Sequence, residues 1–210
     1  MSTTVTVNQN KTPKLLGLIV TILGAVMLVA GLAVYIFASG YLKDERITVA
    51  DDAASFAGKQ VAGPFTAFAQ ADIINHHALA APDVATLDPA ISNAAEFAEE
   101  LGNKTYAELG GIGGKYRTEV TDLKAGGATD EDPAVVEAQA KADAAAAKRT
   151  SVMNGSFLRA SLFTSVVSFG VAALVMGVGV VFGLTGYAII RLSDGAVVET
   201  KKAVLDHMNL

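Results

Sequence analysis

Hydrophobic positions in this chain are gathered into two uninterrupted blocks, residues 15–42 and 160–190, and neither block contains a charged side chain. A helix needs about 20 consecutive apolar residues to cross roughly 30 Å of hydrocarbon. Each block is longer than that, enough to span with tilt or to project into the headgroups. The pattern predicts an all-α membrane protein: a two-helix transmembrane hairpin with a helical, partly irregular extracytoplasmic domain between the spans. Its expected parts are an N-terminal tail (1–14), a first span (15–42), an intervening domain (43–159), a second span (160–190) and a C-terminal tail (191–210). The first block far exceeds the 7–15 residues of a signal-peptide core, so an uncleaved anchor is expected.

Within the first span Gly17, Gly24, Gly31 and Ala38 recur every seven residues, which lays a stripe of small side chains along one helix face and puts Leu28 on the other. Helices associate in lipid by close van der Waals packing, so small residues mark contact faces. A seven-residue period implies a shallow left-handed crossing. The second span repeats the spacing with Gly170 and Gly177, adds the GxxxG pair Gly179 and Gly183, then Gly186, and offers Ser161, Ser165 and Ser168 for interhelical hydrogen bonds. Either these stripes pair the two spans with each other, or one face of the second span meets another protein. Tyr35, Phe37, Tyr41, Phe157, Phe163 and Tyr187 stand near the block ends as interface anchors. Arg159, at the end of a span, is expected to snorkel to the headgroups.

Between the blocks the periodicity turns helical in pieces. Gly63 and Pro64 read as a helix start, after which Phe65, Phe68, Ala69, Ile73 and His76 recur at helical spacing and predict one amphipathic helix near the membrane or against a partner. A shorter helix is expected over residues 92–101, stopped by Gly102. The glycine run 110–114 and residues 125–132 read as irregular. Asp132 and Pro133 cap an alanine-rich helix reaching toward Arg149, with the option of continuing through Asn154 and Gly155 into the second span. So much alanine argues for a small core and for burial supplied in part by a partner.

Charge sets the orientation. Lys11 and Lys14 precede the first block, and Arg191, Lys201 and Lys202 follow the second, which favours both termini in the cytoplasm. The segment 43–159 carries 11 Lys and Arg against 18 Asp and Glu, an acidic balance that argues against nucleic acid and anionic surfaces as partners. It is long enough to translocate regardless of its charge. Membrane lipid and other integral membrane subunits are the expected partners.

Chemistry is sparse. Cysteine is absent, which removes thiolate sites and disulfides. The run GGIGGKY lacks the phosphate-loop pattern, because Leu109 and Tyr116 occupy the places of its first glycine and its Ser or Thr. Asp72 and His76 share a helical face, His77 projects about 100° away, and His207 falls in the opposite tail, so no catalytic, metal or cofactor set is expected. The sequons at Asn103 and Asn154 are at chance level.

The stretches ITVADDAASFAGKQVAGPFTAFAQADIINHHALA, KTYAEL and MNGSFLRASLFTSVVSFGVAALVMGVGVVFGLTGYAIIRL resemble small two-span membrane proteins of actinobacteria, often labelled aromatic ring-opening dioxygenases. ADIINHHAL and NGSFLRASLFTSVV carry the resemblance most specifically. Residues 82–103 and 110–148 look like insertions. By overall character the chain also resembles an accessory subunit of the corynebacterial cytochrome bcc–cytochrome oxidase supercomplex. That resemblance implies a non-catalytic subunit docking on a respiratory assembly; the alternatives are a self-associating envelope scaffold and a metal-dependent enzyme.

Overall fold

The computed structural model describes residues 11–208, with side chains described through Ser193. Lys201, Lys202 and His207 therefore lie outside the described side chains, as do residues 1–10 of the expected N-terminal tail. Five α-helices follow one another: α1 (Thr12–Asp44), α2 (Pro64–Leu79), α3 (Ala94–Leu101), α4 (Tyr106–Ala125) and α5 (Pro133–Met208), with a 3-10 turn at Val84–Thr86. Among the described residues the one extended pairing is an isolated antiparallel bridge between Thr48 and Gln60. α1 and α5 are both long and apolar enough to cross a membrane. The chain forms two compact units, one from α1 and the part of α5 from Val167 onward, the other from Arg46–Val166.

In the first unit burial is inverted relative to a water-soluble helix pair. The buried positions of α1 are Gly17, Gly24, Gly31 and Leu42, while Leu15, Ile19, Ile22, Val26, Val29 and Ile36 are exposed. Such a surface suits an apolar solvent, where small residues go inward for close approach and large ones face outward.

The second unit has a larger core than its alanine content suggests. Phe97, Leu101, Leu109 and Tyr116 of α3 and α4 pack on Ala140, Ala142, Ala145 and Val152 of α5, and Phe97 meets Tyr116 edge to face at 5.5 Å. Alanines on one side make room for aromatic rings on the other, so volume is conserved across the interface. Asp132 starts α5 as the sequence predicts: its carbonyl accepts from Val136 N at 3.0 Å. The alanine-rich segment runs without a break through Asn154 and Gly155 into the apolar block.

One expectation is corrected. Gly110, Gly111, Gly113 and Gly114 lie inside α4, not in an irregular run. A glycine costs about 1 kcal/mol in a helix interior relative to alanine, and two features offset it. Thr105 and Glu108 form a reciprocal cap, with Glu108 Oε2 accepting from Thr105 N at 2.8 Å and Thr105 Oγ1 accepting from Glu108 N at 3.3 Å. The Thr105 hydroxyl, donating to Glu108 Oε2 at 2.7 Å, and then the Thr105 N–H hold the Glu108 carboxyl below its ordinary pKa. In addition, Gly110 faces Arg149 and Gly113 faces Ala142 and Ala145 of α5. In α2, Ala67, Ala69, Ala71 and Ile73 are buried, while Phe65 and Phe68 are exposed. The loop before α2 also packs on it: Ala50 N donates to Gln70 Oε1 at 3.0 Å. A helix covered from more than one direction buries small residues rather than a single stripe.

Candidate functional site

The small residues of α1 meet α5 in antiparallel register. A Cβ added at Gly17 would lie 2.9 Å from Gly186 O, at Gly24 2.6 Å from Gly179 O, and at Gly31 2.8 Å from Ala172 O. Each step of seven along α1 is answered by seven back along α5. From the other side, a Cβ at Gly179 would lie 2.8 Å from Gly24 O, and one at Gly186 would meet Thr21 and Gly17. Backbone atoms are the obstacles at nearly every position, so side chains cannot move aside to admit a methyl group. Thr21 Oγ1 donates to Gly17 O at 2.8 Å within its own helix. Tyr35 packs edge to face on Phe169 at 4.9 Å, toward the far end of this seam.

Other predicted contact residues sit elsewhere. Gly183 presents its backbone to the seam, since the Cβ of Gly24 would come 2.5 Å from its nitrogen, while a Cβ on Gly183 itself would meet nothing within 4 Å. Around Gly170 and Gly177 there is nothing within 4 Å of an added Cβ; they follow the seam positions Phe169 and Met176 by one residue and are turned about 100° from them. Ala38 is half-buried and Ser161 exposed. Ser165 Oγ donates to Ser161 O at 3.3 Å, a bond within α5 rather than between helices. Leu28, expected opposite the glycine stripe, lies against Gly179. It stands one helical turn beyond Gly24, and spacing by sevens alone overlooks that i+4 neighbour.

In the unit Arg46–Val166 several polar side chains form pairs. His77 Nε2 and Asp52 are 2.6 Å apart on the surface, and this hydrogen bond lowers the Asp52 pKa. His76 lines a cleft of about 250 Å³ with Asp52 and Asp72. Among the described residues no group of three or more His, Asp or Glu side chains is placed to hold a metal ion. Glu137 accepts from Ser92 Oγ and Lys141 Nζ, both at 2.8 Å, which ties the start of α3 to α5. The Lys141 contact, followed by Ser92, lowers the Glu137 pKa.

Two cations of α5 do what sequence reasoning missed. Lys148, 8% exposed, is the buried charged residue among those described. Its ammonium donates to Ala78 O at 2.7 Å and Ala80 O at 2.5 Å, where α2 ends. Helix C-termini leave carbonyls without intrahelical partners and carry partial negative charge, so a cation there answers both. Burial lowers the Lys148 pKa below that of a free lysine. Alongside runs a groove of about 720 Å³ bordered by His77, Pro82, Asp88, Asp143 and Ser151. Arg149 stacks 3.8 Å over the Tyr106 ring and donates to the Tyr106 carbonyl at 3.2 Å. In sequence both cations are indistinguishable from solvated charges on an alanine helix. The only available hint is that Lys148 and Arg149 interrupt an apolar run. No protein-family model, curated protein or solved structure matches this chain.

Proposed function

We propose that this chain is a non-catalytic accessory subunit, held in the plasma membrane by a hairpin of α1 and the apolar part of α5. Both termini are cytoplasmic and residues 43–159 lie outside. It docks on other integral membrane subunits, and its resemblance in overall character to an accessory subunit of the corynebacterial supercomplex points to a respiratory assembly of the cytochrome bcc–oxidase type. One observation supports docking most directly: pairing with α1 occupies Gly179 and Gly186 of α5 and leaves the small-residue face of Gly170 and Gly177 open, as it does the side-chain direction of Gly183. A small-residue face gives no advantage against lipid tails and a large one against another helix.

Two outcomes are expected. A phosphatase fusion in the turn around Gly127 is active outside the cell, whereas a reporter active there in the cytoplasm reverses the orientation. Gly170→Leu with Gly177→Leu preserves insertion and the seam with α1, yet strips co-migrating membrane proteins from the chain in mild detergent. An undiminished set of partners removes this face from the docking surface. Loss of a dimer of the chain alone favours the self-associating scaffold.

A further inference from the structure

The start of α2 carries two exposed phenylalanines beside the point where α5 becomes uncharged. α2 runs antiparallel to α5: Ala78 lies against Gly155, the Ala71 carbonyl accepts from Arg159 Nε at 3.2 Å, and Phe68 meets Phe163 with ring centroids 6.0 Å apart. The first two turns of α2 are therefore level with the beginning of the block 160–190, not with the charged helices. Phe65 is 74% and Phe68 55% exposed. No charged residue occurs between Lys59 and Asp72, and Phe157 and Leu158 of α5 are exposed nearby.

The backbone at this end is also prepared for an apolar medium. Thr66 Oγ1 accepts from Ala62 N at 3.1 Å and Gly63 N at 3.2 Å while donating to Gly63 O at 3.0 Å, which uses its full hydrogen-bonding capacity. Pro64, first in the helix, has no N–H to leave open. In hydrocarbon each unsatisfied backbone group costs several kcal/mol, so partners for the Ala62 and Gly63 N–H groups and a proline at the next position lower the cost of placing this end in an apolar medium.

We propose that the first two turns of α2 dip into the bilayer on the side of residues 43–159, with Phe65 and Phe68 against lipid acyl chains. Arg159 and Asp72 mark the headgroup level. Two turns correspond to about 11 Å along a helix, close to the roughly 5–10 Å at which interfacial helices sit. The covering partner is lipid, argued from continuity with the uncharged block of α5; a protein cover is the competing outcome. The proposal rests on the membrane reading above.

The chain has no tryptophan, so single tryptophans report depth. Full-length Phe65→Trp in phosphatidylcholine–phosphatidylglycerol nanodiscs should lose most of its emission to lipids brominated near the headgroup end of the acyl chain and little to aqueous iodide. Phe68→Trp should behave alike. Val29→Trp in α1 serves as the spanning reference and Val136→Trp, at the far end of α5, as the aqueous one. If Val29→Trp is untouched by brominated lipid, the membrane reading itself fails. If Val29→Trp is quenched while Phe65→Trp and Phe68→Trp follow Val136→Trp, α2 lies in water and the proposal is overturned. Protection of both from either quencher means that protein covers the face, which overturns it equally.

Discussion

Gly24→Leu is expected to separate α1 from α5 without preventing either from entering the membrane. The glycine lies where main-chain atoms of the opposite helix come closest, and even a methyl group would meet Gly183 N at 2.5 Å and Gly179 O at 2.6 Å. Overpacking a core typically costs about 1–3 kcal/mol when side chains can shift. Here the obstacles are main-chain atoms of the opposite helix, and relief requires moving the whole helix. The expected loss is therefore about 3 kcal/mol or more, with Gly24→Ala already giving most of it. Because cysteine is absent, dyes can be attached specifically to Lys11→Cys and Ser193→Cys. Their energy transfer, followed as mild detergent is exchanged for dodecyl sulfate, reports when the helices part. Gly177→Leu is the matched control: the same change on α5 where nothing lies within 4 Å. Equal midpoints for Gly24→Leu and Gly177→Leu would show that close approach at Gly24 contributes nothing to pairing.

The parts of this fold that were legible in sequence are those in which one local signal decides. Two uncharged blocks name two apolar helices, Pro64 and Asp132 mark real helix starts, and Gly102 marks a real stop. Reading failed where tertiary contact overrides local propensity. The glycines of α4 look like a loop until Arg149, Ala142 and Ala145 are seen against Gly110 and Gly113. Even so, the Thr105-x-x-Glu108 cap just ahead of them was a usable signal that a helix begins there. Helical spacing groups Phe65, Phe68, Ala69 and Ile73 on one face, yet Ala69 and Ile73 are buried while Phe65 and Phe68 are exposed, because spacing alone does not say which part of a face a neighbouring helix covers. Of the seam, the α1 side was readable from spacing by sevens. The α5 side was not, since four overlapping glycine spacings were available and only the antiparallel register selects Gly179, Gly183 and Gly186.

Lys148→Met should loosen α2 from α5 while keeping the aliphatic stem's packing. Two opposing effects decide the size. Removing the ammonium leaves the Ala78 and Ala80 carbonyls without their donor, and hydrogen bonds to charged groups are worth about 1.5–3 kcal/mol each. Against this, methionine avoids holding a cation away from water, a cost that shows in the lowered Lys148 pKa. Both carbonyls lie at a helix end where water can reach once the side chain is gone, so the net loss is set at about 2 kcal/mol, roughly thirtyfold in the opening equilibrium. Amide exchange across α2 in the full-length protein measures that factor. The sign of the pH dependence separates the two effects. With the folded pKa below the unfolded value of 10.5, the unfolded chain binds the extra proton in the interval between them. The stability of the wild type relative to Lys148→Met is then flat through neutral pH and rises as the solution approaches pH 10.5. Should the wild-type margin instead shrink over that alkaline interval, the carbonyls favour the charged form more than burial opposes it. Lys148 would then be a net electrostatic cap on α2, not a cation retained at a cost.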